Sequence, residues 1–224
     1  MKTPGNATVD LDTPTVFVVD DDPGLCGALA YLLESVRLPC ETYATAQQFL
    51  RAYDPRRPGC LVLDVRMPGM SGLDSQAELA ARGYAIPIIM ITGYADVPMA
   101  VRALKAGAVE FLQKPFSDQA ILECIQQAIE RDRQARLLAQ ECANYAKRLS
   151  RLTQRERQVM DLMLSGKANK AIATELRLAR KTIETHRANL MAKMGVKTLA
   201  DLIKRSLRFG DPGSAASAKS TRSD

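Results

Sequence analysis

Four polar clusters in the first half of this chain carry residue types that could manage a phosphoryl group. Asp20, Asp21 and Asp22 stand in a row. Asp64 closes an apolar triplet in the stretch LVLDVRMPGMSG, residues 61–72. Thr92 follows the apolar run IPIIMI, and Lys114 precedes Pro115 and Phe116. A carboxylate can attack phosphorus and form an aspartyl phosphate. That step needs positive charge against the incoming oxygens. Asp20, Asp21 and Asp64 offer the hard oxygen ligands that Mg²⁺ prefers. Lys114 offers a point charge, and Thr92 a hydroxyl donor. Taken singly, each residue has a plainer use. Asp64 could cap a turn, and three adjacent acids before Pro23 could form a solvated turn that opens a helix. The chemistry requires all four clusters in one place.

The surrounding pattern can bring them together. Residues 15–19 (TVFVV) read as a buried strand, and leucines 25, 29, 32 and 33 mark a helix from Pro23 to about residue 36. A weak strand at 41–43, a helix around Ala46, Phe49 and Leu50, and a loop at 53–59 follow. Next come a strand at 61–63, a helix at 73–81 and a strand at 86–91. A helix at 99–106, a strand at 109–112 and a helix from Ser117 complete the series. Five alternations of strand and helix predict an α/β fold, a doubly wound, five-stranded parallel sheet with helices on both faces. Right-handed crossovers place every strand's carboxyl end on one rim. The Asp20–Asp21 pair, Asp64, Thr92 and Lys114 all sit at such ends, where open α/β sheets hold ligands.

Residues 15 to about 130 resemble the receiver domain of two-component response regulators. VVDDD at 18–22, LDVRMPGMSG at 63–72, ITG at 91–93 and KPF at 114–116 carry the likeness. The resemblance implies that Asp64 is the phosphoacceptor and that Asp20, Asp21 and the Arg66 backbone carbonyl join Asp64 in holding Mg²⁺. It implies that Thr92 and Lys114 bind the phosphoryl group, that the Lys114–Pro115 bond is cis and that the sheet has the flavodoxin-like strand order. Thr92 would move toward the phosphate as Phe111 turns inward; without the resemblance Phe111 would simply be core. Residues 96–116 are similar to the pairing face of the nitrogen-fixation-type regulators, so a homodimer through the receiver face 97–125 is expected on phosphorylation.

Ile121, Ile125, Ala128, Asp132 and Ala135 step by four and three, as do Leu138, Cys142, Tyr145, Leu149 and Leu152. No Gly or Pro interrupts residues 116–165. A long helix leaving the first domain is expected, either as a coiled-coil seam or packed on its own domain. Asp132 spoils the first seam.

The second half changes character. Residues 1–130 hold 10 Lys and Arg against 16 Asp and Glu, a net −6, whereas residues 131–224 hold 21 against 9, a net +12. A basic half suggests a polyanionic partner. Thr153 with Glu156 fits a capping box opening a helix to Leu164, and Gly166 stops it. A short helix at 169–176, a break and a helix at 182–194 form a helix-turn-helix, and Leu199, Ile203 and Leu207 mark a fourth helix. The second helix of such a pair enters the major groove. Lys170, Arg180, Lys181, Arg187 and Lys193 surround it as phosphate partners, and Glu184, Thr185 and Ala188 occupy the face toward base edges. A small four-helix bundle for protein contacts is the alternative. Residues 150–208 resemble the LuxR-type helix-turn-helix domain through LTQRERQVM, NKAIA and TIETHRANLMAKM, which brings Thr182 and His186 into the expected DNA-binding set. That family usually carries a Ser-Pro or similar cap before the recognition helix. Ala179 stands there instead, a loss of about 1 kcal/mol of helix-start stability.

The chain is thus organised as a flexible leader (1–14), a receiver (15–130), a linker helix (131–149), an all-α four-helix DNA-binding domain (150–209) and a disordered tail (210–224). No apolar run approaches the ~20 residues that cross a bilayer, and the start has no signal-peptide core, so a cytoplasmic protein without a membrane partner is expected. The scattered cysteines and the single His186 argue against zinc or a disulfide framework and predict buried or half-buried free thiols. The resemblance implies a transcription factor rather than an enzyme, with self-catalysed phosphoryl transfer to Asp64 and slow dephosphorylation only. Its partners would be a sensor histidine kinase, a two-fold promoter site on DNA and, as a further candidate, RNA polymerase. The rival is a phosphatase of the haloacid-dehalogenase-like kind, which carries a second Asp two residues after its nucleophile; here that position is Arg66.

Overall fold

The computed structural model describes residues 13–94 and 97–210. The leader expected over 1–14 lies outside them except for residues 13 and 14, as does the tail beyond residue 210. The chain divides into two compact units between Arg136 and Leu137.

The first unit holds five parallel strands: β1 (Thr15–Val19), β2 (Cys40–Tyr43), β3 (Gly59–Asp64), β4 (Ile88–Thr92) and β5 (Glu110–Gln113). Their order is β2-β1-β3-β4-β5. Every residue of β1, β3 and β4 is buried, which is why these strands read as unbroken apolar runs. Side chains still alternate between faces. Phe17, Val19, Leu61, Leu63 and Met90 join one core layer with α2 (Ala46–Ala52), α3 (Gly72–Ala81) and α4 (Val97–Lys105). Val16, Val18, Val62, Ile89 and Ile91 join the other with α1 (Pro23–Ser35) and the first half of α5 (Asp118–Leu149). The order reverses direction between β1 and β3, a switch point that leaves a crevice outside the strand ends.

β4 starts two residues later than its apolar run suggests. Pro87 has no N–H to give to the ladder, though its carbonyl accepts from the Leu61 N–H at 2.9 Å. β3 starts two residues earlier, where Gly59 and Cys60 pair with Thr15 and Val16. α4 also starts earlier, with Pro98 tolerated in its first turn.

α5 answers the question of the seam in its first half. Ile121, Ile125 and Ala128 are fully buried against the sheet, and Asp132 is buried beside them. One Asp132 oxygen accepts from the Gly59 N–H at 2.9 Å and from Arg136 Nε at 2.7 Å. Arg136 then donates to the carbonyls of Pro55, Arg56 and Arg57. The stretch packs on its own domain, and the acid that breaks the apolar seam is a polar latch to the start of β3.

The second unit combines the last turns of α5 with α6 (Gln154–Leu164), α7 (Asn169–Leu176), α8 (Arg180–Met194) and α9 (Leu199–Phe209). Tyr145, Val159, Met163, Ile172, Ile183, Leu190, Met194 and Leu202 form its core. α5 ends at Leu149, short of Leu152, and Thr153 opens α6 with a complete capping box. α8 begins at Arg180, two residues before the expected start, and Ala179 offers no side-chain cap. No helix among the described residues is long and apolar enough to cross a membrane.

Candidate functional site

The rim of the sheet gathers the first set of residues. Asp20 directly follows β1, Asp64 is the last residue of β3, and Lys114 follows β5. Oxygen atoms of Asp20, Asp21 and Asp64 all lie within 4.8 Å of one another. Asp20 and Asp64 are buried, while Asp21 is exposed. Lys114 Nζ lies 2.6 Å from Asp20 Oδ2 and 3.3 Å from Asp64 Oδ1. The contact to Asp64 lacks hydrogen-bond alignment, so Asp64 Oδ1 is a buried acceptor without a donor. Burial pushes the Asp64 carboxyl above the ordinary carboxylate range; the charges of Asp20 and Asp21 push the same way, and Lys114 pulls it back. For Lys114, burial alone pulls the ammonium down, but the Asp20 and Asp64 carboxylates outweigh it and leave it raised.

Three converging carboxylates and one lysine leave an excess of negative charge, and one oxygen lacks a partner. That donor set fits a hard divalent cation. The loop after Asp64 is shaped by close approach. A Cβ at Gly72 would stand 2.3 Å from the Asp64 carbonyl oxygen, and the Gly72 N–H donates to the Val65 carbonyl at 2.9 Å. Asp22 caps α1 by accepting from the Gly24 N–H at 2.8 Å, so the third acid of the row serves the helix.

Thr92 ends β4 and is fully buried. Its hydroxyl accepts from the Tyr94 N–H at 3.2 Å and lies 3.3 Å from the Tyr94 carbonyl. Phe111 is partly buried against the core layer of α2, α3 and α4. The Lys114–Pro115 peptide bond is cis. Sequence reasoning used only the backbone of Arg66. Its guanidinium stacks over the exposed Tyr94 ring, 5.0 Å from the centroid. An Arg and a Tyr on two separate loops give no spacing signal by which such a stack could be foreseen.

In the second unit, α7 and α8 are joined by Arg177, Leu178 and Ala179, with Arg177 in the left-handed conformation that ends α7. Lys170, Arg180, Lys181, Glu184, Thr185 and Ala188 are exposed, and Thr182, His186 and Arg187 are half-buried. Two of the expected phosphate partners are engaged within the unit. Lys193 Nζ lies 2.7 Å from the buried carboxylate of Glu156, and Arg187 donates to the Asn169 side chain. Burial pushes the Glu156 carboxyl up, but Lys193 and Thr153 outweigh it and hold it below its usual value. Asn189, absent from the expected set, lies exposed one turn beyond Thr185. An Asn is suited to adenine, and its position four residues on was the available signal.

None of the five cysteines is in a disulfide. Burial pushes the Cys40 thiol up to about 11 and the Cys60 thiol up to about 12, which leaves both protonated at neutral pH. Cys142 departs from the expectation of buried or half-buried thiols: it is exposed.

Comparison with known proteins covers both units. Residues 16–126 match the response regulator receiver domain, and residues 150–206 match the bacterial regulatory proteins of the luxR family. The chain is 46% identical to nodulation protein W of Bradyrhizobium diazoefficiens over 87% of its own length and 86% of that protein's. It is 43% identical to the transcriptional regulatory protein FixJ of Azorhizobium caulinodans, over 87% of this chain and 92% of that one. Among solved structures, the response regulator StyR matches with a TM-score of 0.81 and 45% identity, covering 88% of this chain and 99% of that chain.

Proposed function

Because this chain belongs to the two-component response regulators that join a receiver domain to a luxR-family DNA-binding domain, we propose that Asp64 accepts a phosphoryl group from the phosphohistidine of a sensor kinase. The chain is a transcriptional regulator by family, and the receiver's chemistry serves a switch. One observation carries the reading: the oxygens of Asp20, Asp21 and Asp64 converge within 4.8 Å beside the Lys114 ammonium.

In the transfer, an Asp64 oxygen forms a bond to phosphorus as the bond from phosphorus to the kinase imidazole breaks. The electron pair of the broken bond returns to the imidazole nitrogen. Lys114 offsets charge on one phosphoryl oxygen, and the Thr92 hydroxyl, released from Tyr94, donates to another. Asp20, Asp21, Asp64 and the Arg66 carbonyl would hold Mg²⁺, which supplies positive charge against the phosphoryl oxygens when bound. Movement of Thr92 leaves room that Phe111 fills. α4 then presents Val97, Val101 and Leu104, which are 77, 42 and 44% exposed, as part of a face that pairs two receivers. Paired chains place two α8 helices on a two-fold DNA site. Lys170, Arg180 and Lys181 meet phosphates, while Thr182, Glu184, Thr185, His186 and Ala188 meet the groove; RNA polymerase is a further partner of the bound regulator.

Two measurements test this. A small phosphodonor with Mg²⁺ labels the chain, and Asp64→Asn abolishes the label; label retained in Asp64→Asn refutes the assignment. Beryllium fluoride with Mg²⁺ converts a monomer to a dimer by size, and an unchanged size refutes the pairing.

A further inference from the structure

The two ends of α8 are held in different ways. Its start has no side-chain cap, because Ala179 occupies that position. Its end is gripped. Gly195 turns left-handed at φ 62° and ψ 42°, and its N–H reaches the Ala192 and Met191 carbonyls. The Met194 carbonyl is among the last four of the helix, which have no partner inside it. It accepts from Arg148 Nη1 at 2.6 Å and from Arg205 Nη1 at 3.3 Å. Both guanidinium charges also meet the negative end of the helix dipole. A Cβ at position 195 would stand 1.9 Å from Arg148 Nη1. Glycine therefore supplies the turn and admits the arginine.

We propose that Arg148, seconded by Arg205, is a positioning residue for sequence readout by α8. The inference rests on the reading of α8 as the helix that enters DNA. Burial of Ile183, Leu190 and Met194 holds α8 to the domain, but apolar burial is non-directional. A hydrogen bond to a terminal carbonyl is directional and fixes the end of the helix along its axis. Glu184, Thr185 and Ala188 ride on the same helix. Contact with base edges depends on hydrogen-bond geometry, whereas attraction to phosphates falls gradually with distance. Loss of the Arg148 contact should therefore reduce discrimination between sequences more than affinity for DNA as such.

The test uses the full chain with beryllium fluoride and Mg²⁺. One probe is a duplex enriched from a random pool by the parent chain, and the other is a mixed-sequence duplex. Arg148→Lys keeps the stem and the charge and removes the fork, so it supplies a folded variant even if Arg148→Ala does not. Arg148→Lys should weaken binding to the enriched duplex about tenfold, the equivalent of one charge-assisted hydrogen bond. Binding to the mixed duplex should change little, the salt slope should stay as in the parent, and amide exchange at 192–196 should quicken. Equal loss on both duplexes would mean general damage to the fold and overturns the proposal. A salt slope reduced by about one would make Arg148 a phosphate contact instead, and unchanged binding to the enriched duplex also overturns it. Glu184→Ala and Thr185→Ala separate the two levels. If neither alters binding, the reading of α8 fails and takes the inference with it. If they weaken binding and Arg148→Lys does not, the inference alone fails.

Discussion

Asp64 is the residue at which folding and chemistry compete. Its carboxyl is raised above the ordinary value of 3.8 by burial and by neighbouring acids. An acid whose folded value is raised favours the fold while protonated, below the unfolded value, and loses that contribution as pH rises through the folded value. At neutral pH without a divalent cation, ionised Asp64 is therefore a cost. Asp64→Asn should raise the thermal midpoint at neutral pH in chelator, and the gain should shrink as pH falls toward 3.8; a lower midpoint than the parent's at neutral pH would contradict this. At the same scale, the acids, the threonine and the lysine were legible because each ends a strand that its own composition announces. The engagement of Lys193 with Glu156 was not. That pair is 37 residues apart in sequence, and a lysine beside a groove-sized helix carries no mark of an internal partner.

Elements were legible in number and order, and less so at their edges. Apolar runs gave β1, β3 and β4, but Pro87 cut β4 short and backbone pairing with β1 lengthened β3. The α5 seam was ambiguous because the same four-three stepping serves a partner helix or the helix's own sheet. Asp132 resolved it, since a buried acid at that step has a backbone N–H and an arginine to satisfy it. Asp132→Ala should destabilise the first unit by about 3 kcal/mol in denaturant unfolding, through the stranded Gly59 N–H and the released Arg136. A change under about 0.5 kcal/mol, typical of surface positions, would show the latch to be idle. Ala179→Ser should add about 1 kcal/mol to the second unit by supplying the missing cap of α8, read as a higher unfolding midpoint; no rise would mean the start of α8 is already satisfied.

For the whole molecule, the division of charge between an acidic first half and a basic second half assigns nucleic acid to the second. Binding to duplex DNA should fall at least ~tenfold between about 50 and about 200 mM salt, as released counterions require; a flat response would remove phosphates from the account. Leu104→Glu, on the exposed face of α4, should leave labelling at Asp64 intact and abolish the change of size with beryllium fluoride. Loss of labelling instead would place Leu104 in the phosphoryl chemistry. The thiols have a practical consequence. Cys60 is buried, Cys40 is held protonated at neutral pH, and Cys142 stands exposed on α5. A maleimide dye added to the unaltered chain should settle first on that helix, giving a site-specific fluorescent label that needs no cysteine engineering.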